Sequence, residues 1–175
     1  RYKYRNINFT GNTNFPDQLL LNRLDIQPGD WYNEAKFQKN LNENVKGLYM
    51  DQGYLFAQIR PTEVPVESHK VDVNININKQ NKVYVGLINI EGNYKTHESV
   101  IRRQLKIFPG NLFNRSRLKR SVRELHMLNY FANIKPNVQP VEESKVNLGL
   151  SVKEKSSNKA NLSASYSKAH GIIGG

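Results

Sequence analysis

Apolar and polar positions in this chain alternate, then recur at three- and four-residue steps, then alternate again, and the whole order runs twice. Tyr4, Asn6 and Asn8 alternate with Arg5, Ile7 and Phe9, the two-residue period of a half-buried strand. Gly11-Asn12 turns the chain. Leu19, Leu20 and Leu24 then form a helical face behind Pro16 and Asp17, residues suited to a first helical turn. Pro28-Gly29 stops that helix. Asn33 is placed to cap the next one, whose inner face carries Phe37, Leu41, Val45 and Leu48, and Gly53 fits the left-handed position just past its end. Tyr54 to Ile59 is strand-like, and Pro61 and Pro65 are expected to limit its pairing. Val71, Val73, Ile75 and Ile77 alternate with Asp72, Asn74 and Asn76, a strand with one buried and one wet face.

The stretch from Ile90 to Phe131 repeats the middle of this order and is written more strongly. Glu91-Gly92-Asn93 is a tight turn, Thr96 is a candidate cap, and Val100, Ile101 and Leu105 share a helical face. Pro109-Gly110 follows, Asn114 is a second candidate cap, and Leu118, Val122, Leu125 and Leu128 make a long apolar stripe. With an offset of 81, Ile7, Gly11, Asn12, Leu24, Pro28, Gly29 and Asn33 meet Ile88, Gly92, Asn93, Leu105, Pro109, Gly110 and Asn114. With an offset of 75, Phe56, Ala57, Ile59, Pro61 and Pro65 meet Phe131, Ala132, Ile134, Pro136 and Pro140. Turn residues match as well as core residues, which favours duplication over chance. The difference between the two offsets is expected around Met50 to Tyr54, between the second helix and the next strand. Each unit reads strand, helix, helix, strand, strand, an α+β module in which two amphipathic helices cover one face of a small sheet. The boundaries are 1–79, 80–156 and a tail, 157–175. In the tail Leu162, Ala164 and Tyr166 alternate weakly with small polar residues, as at the start of a membrane barrel strand or in a flexible terminus.

Charge changes the picture more than composition does. Up to Asn81 the chain has ten Lys and Arg against nine Asp and Glu; beyond it, sixteen against six. Nearly all of the net +11 lies beyond Asn81, which suits an anionic partner: nucleic acid, lipid head groups or an acidic protein. A solvated helix surface is the plainer explanation. The absence of cysteine excludes disulfides and Cys-based metal sites. No apolar run is long enough for a membrane helix, and the opening has no signal-like pattern, so the chain is expected to be a segment of something longer.

No catalytic constellation emerges. His69, His97, His126 and His170 are far apart, without metal-ligand spacing, and each reads as a surface residue. There is no phosphate loop and no nucleophile elbow. Glu142-Glu143 is no acid–base pair, because neighbours in a strand point to opposite faces. No catalytic residue, metal or cofactor is expected, and a binding or scaffold module fits best.

The wording then resembles a known family. Gly53-Tyr54-Leu55-Phe56, Ile90-Glu91-Gly92-Asn93, Val100-Ile101-Arg102-Arg103-Gln104-Leu105, Pro109-Gly110-Asn111-Leu112-Phe113, Ser121-Val122-Arg123-Glu124-Leu125 with Tyr130-Phe131, and Val152-Lys153-Glu154-Lys155 look like POTRA domains of BamA-type outer-membrane assembly proteins. The resemblance implies a penultimate POTRA domain at 1–79, the last one at 80–156, and the exit into the barrel beyond. It implies a three-stranded mixed sheet under two helices in each unit. It also implies a periplasmic location, unfolded outer-membrane proteins as clients, accessory lipoprotein subunits, and the inner leaflet of the outer membrane as a neighbour.

Two surfaces are candidates for that work. A small sheet leaves edges with unpaired backbone groups to which an extended client can add. The expected edges are Tyr54, Leu55, Phe56, Ala57 and Ile59 in the first unit and Phe131, Ala132 and Ile134 in the second; equally, their prolines and bulky residues would block pairing. The second surface is basic: Arg102, Arg103, Arg117, Lys119, Arg120 and Arg123, facing an acidic accessory subunit or anionic head groups. The alternatives are a POTRA region of a two-partner secretion or other polypeptide-transport barrel, and a nucleic-acid-binding repeat. The latter is disfavoured because no RNP-like strand or helix-turn-helix is present, so no nucleic acid is expected.

Overall fold

A computed structural model describes residues 1–156. The tail expectations for 157–175 lie outside the described residues. The first unit is β1 (Lys3–Thr10), α1 (Asp17–Leu24), α2 (Glu34–Asn40), α3 (Lys46–Asp51), β2 (Gln58–Val66) and β3 (Lys70–Asn78). The second is β4 (Tyr84–Glu91), α4 (Glu98–Gln104), α5 (Arg115–Met127), β5 (Phe131–Glu142) and β6 (Lys145–Glu154). Each sheet has its last strand in the middle, in the orders β1-β3-β2 and β4-β6-β5. The first strand of each unit is parallel to the middle one and the second antiparallel. The fold is α+β, with two mixed three-stranded sheets under helices.

The repeat extends to details of the turns. Asn12 and Asn93 donate from Nδ2 to the carbonyls three residues on, Phe15 and Thr96. Gly11 and Gly92 have φ of 74° and 89°, and a Cβ on either would overlap a backbone carbonyl of the middle strand, Ile77 or Val152. Only glycine permits both the conformation and the approach. Asn33 and Asn114 do cap helices, accepting from the Lys36 and Arg117 amides at 2.9 and 2.8 Å. Thr96 does not: His97 holds the cap position of α4, and the Thr96 amide donates to Glu154 instead, at 2.7 Å.

Three sequence expectations are corrected by packing. First, Tyr4 does not share a face with Asn6 and Asn8. A register shift between Tyr4 and Ile7 puts Tyr4 in the core with Ile7 and Phe9 packed beside it. The second unit shifts identically between Val85 and Ile88. In each bulge a side-chain oxygen of the middle strand takes the freed amide: Asp72 from Asn6 at 3.1 Å, Asn147 from Leu87 at 2.8 Å. Secondly, the length difference between units lies mainly inside the helix. Glu34–Asn40, a widened π turn at Leu41–Val45, and Lys46–Asp51 contain seven, five and six residues, against thirteen in α5. Phe37, Leu41, Val45 and Tyr49 are all buried at four-residue steps. A regular helix would rotate that series off the core, and the widened turn restores its phase.

Thirdly, the prolines do not end strands. β2 continues through Pro61 and Pro65, and β5 through Pro136 and Pro140. Each core is formed by one sheet face: Val71, Val73, Ile75 and Ile77 in the first, Val146, Leu148, Leu150 and Val152 in the second. Ser121 is the buried polar residue of the described core. Its hydroxyl accepts from the Lys106 amide at 2.7 Å and donates to the Arg117 carbonyl at 2.9 Å, tying the end of α4 to α5. Ser121→Ala strands the Lys106 amide and is expected to lower unfolding free energy by about 1–3 kcal/mol in urea titration.

Candidate functional site

With β3 and β6 central, β1, β2, β4 and β5 are all edge strands. The residues expected to form the edges are distributed unevenly. Tyr54, Leu55, Phe56 and Ala57 precede β2 and form a turn, in which the Tyr54 amide bonds the Tyr49 carbonyl at 3.0 Å. Tyr54 and Ala57 belong to the core, and Leu55 packs against the second unit's core. Ile59 is the member that lies in β2. Phe131, Ala132 and Ile134 all lie in β5, with Phe131 and Ile134 buried. Pro61 pairs with Ile75, Pro65 with Val71, Pro136 with Leu150 and Pro140 with Val146; the β2 ladder runs on through both of its prolines, and the β5 ladder runs through Pro136 and shifts register after Pro140. A proline tolerated there must turn its missing N–H outward. The free sides of β2 and β5 are therefore short of donors.

The other two edges are covered for their first half by the turn that follows the first helix. In the first unit the Tyr4 amide donates to the Asp30 carbonyl at 3.0 Å and the Gly29 amide to the Tyr4 carbonyl at 2.7 Å. In the second, the Val85 amide donates to the Asn111 carbonyl at 2.8 Å and the Gly110 amide to the Val85 carbonyl at 2.7 Å. Beyond this cover the two units differ. On β4, Arg102 reaches from α4 to donate to the Ile88 carbonyl at 2.9 Å, while Glu98 holds its guanidinium at 2.6 Å. On β1 the equivalent helix position is Leu21.

The basic residues also divide. Arg102 belongs to the β4 edge. Lys119 bonds Glu43 of the first unit at 3.0 Å, and Arg120 lies 3.7 Å from Glu124. Arg103, Arg117 and Arg123 are exposed, with no acidic partner among the described residues. The outward positive face of the second unit is thus Arg103, Arg117, Arg120 and Arg123.

Lys119 exposes a feature that sequence reasoning missed, the joint between units. The start of α5 docks on the end of the first unit's long helix. Asp51 accepts from the Ser116 amide at 2.7 Å and its hydroxyl at 2.6 Å, and Asn114 donates to the Asp51 carbonyl at 2.9 Å. Arg115 donates to the Glu43 carbonyl and carboxylate, both at 2.8 Å. Lys119 first, then Arg115, holds the Glu43 carboxyl below its ordinary value. Leu112 packs so closely on Gly53 (φ 92°) that a Cβ there would meet it at 2.7 Å. Val83 donates to the Gly53 carbonyl at 2.9 Å, and Met50 and Leu55 pack into the second core. The available signal was indirect: Asn114 and Gly53 each end a helix, but nothing in the sequence says that those ends meet.

The POTRA family model, described as surface antigen variable number repeat, matches residues 2–80 and again 83–155, one match per sheet. The chain belongs to the POTRA family. It is a BamA-type POTRA region by its relatives. The outer membrane protein assembly factor BamA of Neisseria meningitidis serogroup B is 30% identical over 177 aligned positions, covering 99% of this chain and 22% of that protein. BamA of Nitratidesulfovibrio vulgaris is 33% identical over 159, covering 88% and 20%. The chain therefore spans about a fifth of the length of these relatives. The crystal structure of Haemophilus influenzae BamA POTRA3-5 shares the POTRA fold with a TM-score of 0.77 at 18% identity, covering 87% of this chain and 61% of that one.

Proposed function

We propose that this POTRA pair is the periplasmic part of an outer-membrane β-barrel assembly protein. It receives unfolded barrel clients along its sheet edges, and accessory lipoproteins or the inner leaflet of the outer membrane on the exposed arginines of α4 and α5. The observation that supports this best is the pair of small sheets, each flanked by two edge strands. Such edges read backbone, not sequence, as a carrier of many different clients requires. The residues used are backbone groups of the edges and the side chains Arg103, Arg117, Arg120 and Arg123.

The test is anisotropy with a urea-unfolded barrel protein diluted onto the 175-residue chain. Saturable binding is expected, uncontested by the same barrel folded in micelles; no binding removes the client role. R120E/R123E is expected to leave client binding unchanged. The same variant should weaken retention on vesicles rich in phosphatidylglycerol or on an acidic accessory subunit. Unchanged retention on both would leave these arginines with solubility alone.

A further inference from the structure

The two units share one plan but not one set of open edges. Ile7 and Phe9 pair with Val73 and Ile75 as Ile88 and Ile90 pair with Leu148 and Leu150, so the backbones stand in the same register. The Ile88 carbonyl faces away from β6, because Arg102 reaches it from α4. Its twin, the Ile7 carbonyl, faces away from β3. An arginine at the Leu21 position would have Asp17 four residues before it, as Arg102 has Glu98. The first unit thus lacks only the guanidinium of this plug.

Leu21 lines a groove of about 670 Å³ with Gln18, Asn22, Ile26, Pro28 and Asp30. Asp30 is the residue that pairs with Tyr4, so the groove adjoins the covered half of β1. That half already holds an antiparallel segment, through the bridge between Lys3 and Trp31. The covered half of β4 holds one too, through Tyr84 and Leu112, so the arginine is what separates the two edges. The prolines of β2 and β5 and the arginine on β4 make the other three edges poorer in free groups.

We propose that the uncovered half of β1, Ile7 to Thr10, is where an extended polypeptide adds as a fourth strand, and that Arg102 keeps the matching edge of the second unit shut. The inference rests on the client-binding function above and assigns it to one unit. The ligand is an extended chain whose N–H groups meet the outward carbonyls of β1.

The test uses the 175-residue chain and a peptide of about ten residues with barrel-strand alternation of tyrosine and valine with threonine. Amide shifts and slowed hydrogen exchange are expected at Ile7 and Phe9 and not at Ile88 or Ile90. Leu21→Arg is expected to weaken binding by about tenfold, the equivalent of one or two hydrogen bonds. Arg102→Leu, at an exposed side chain, is expected to add a second set of shifts at Ile88 and Ile90. Equal use of both edges by the native chain, shifts confined to β2 or β5, or an Arg102→Leu variant that opens nothing would each overturn the assignment while leaving client binding intact. No shift along any edge would overturn the client function as well.

Discussion

Gly92→Ala is expected to unfold the second unit at temperatures where the first stays folded. Two effects add. An L-residue at φ 89° carries roughly 1–2 kcal/mol of steric strain. The new methyl also overlaps the Val152 carbonyl, and because that atom is backbone at the end of β6, relief requires moving the strand. Overpacking of this kind adds about 1–3 kcal/mol. A unit this small has little more stability than that to lose. Gly110 supplies the comparison: its φ is 84°, but nothing lies within 4 Å of its would-be Cβ. Gly110→Ala should show the strain without the overlap. Circular dichroism melts are expected to rank wild type, Gly110→Ala and Gly92→Ala in falling order. Equal losses in the two variants would show that the carbonyl contact carries no weight. Gly11→Ala should repeat the Gly92 result in the first unit.

The second large effect is on geometry more than stability. Glu43→Ala with Asp51→Ala removes the side-chain acceptors at the joint, from the Ser116 amide and hydroxyl, Arg115 and Lys119. The Ser116 amide belongs to the first turn of α5, so losing its acceptor costs about 1 kcal/mol, as for a helix cap. The Leu112 contact on Gly53 survives, and so does the apolar seam of Met50 and Leu55. The units should stay in contact but lose their fixed angle. Spin labels at Glu67 and Arg123, both exposed and outside the joint, are expected to give one narrow distance distribution in the native chain and a broad one in the double variant. Acid should act in the same direction. Glu43 titrates below its ordinary 4.5 when folded, mainly through Lys119 and then Arg115. Its contribution is complete above that ordinary value and is lost as pH falls through the depressed one. A distribution that stays narrow in the double variant would assign the angle to the apolar seam alone.

The duplication was legible because it is written in residues with a single structural use. Gly11 and Gly92 answer to a close carbonyl, and Asn33 and Asn114 answer to a helix-end amide. What escaped were features that depend on a partner elsewhere in the chain. The bulge that turns Tyr4 inward needs the oxygen of Asp72, 66 positions beyond Asn6. The edge prolines looked like strand ends because a sequence does not say which side of a strand is free. The six arginines and lysines looked equivalent because spacing on a helix gives a face but no acceptor. Arg102 proved to serve a sheet edge and Lys119 a neighbouring unit.

The central strand of each sheet is the last one synthesised, and this governs the order of assembly. β1 waits for β3, and β4 for β6, before either can gain a hydrogen-bonded neighbour in its sheet. No prefix of a unit contains a usable sheet, so each closes late and all at once, through contacts of long sequence separation. A chain delivered gradually from its N-terminus would present about seventy residues of uncommitted strand and helix before the first unit locks, an interval in which a holding chaperone has most to offer.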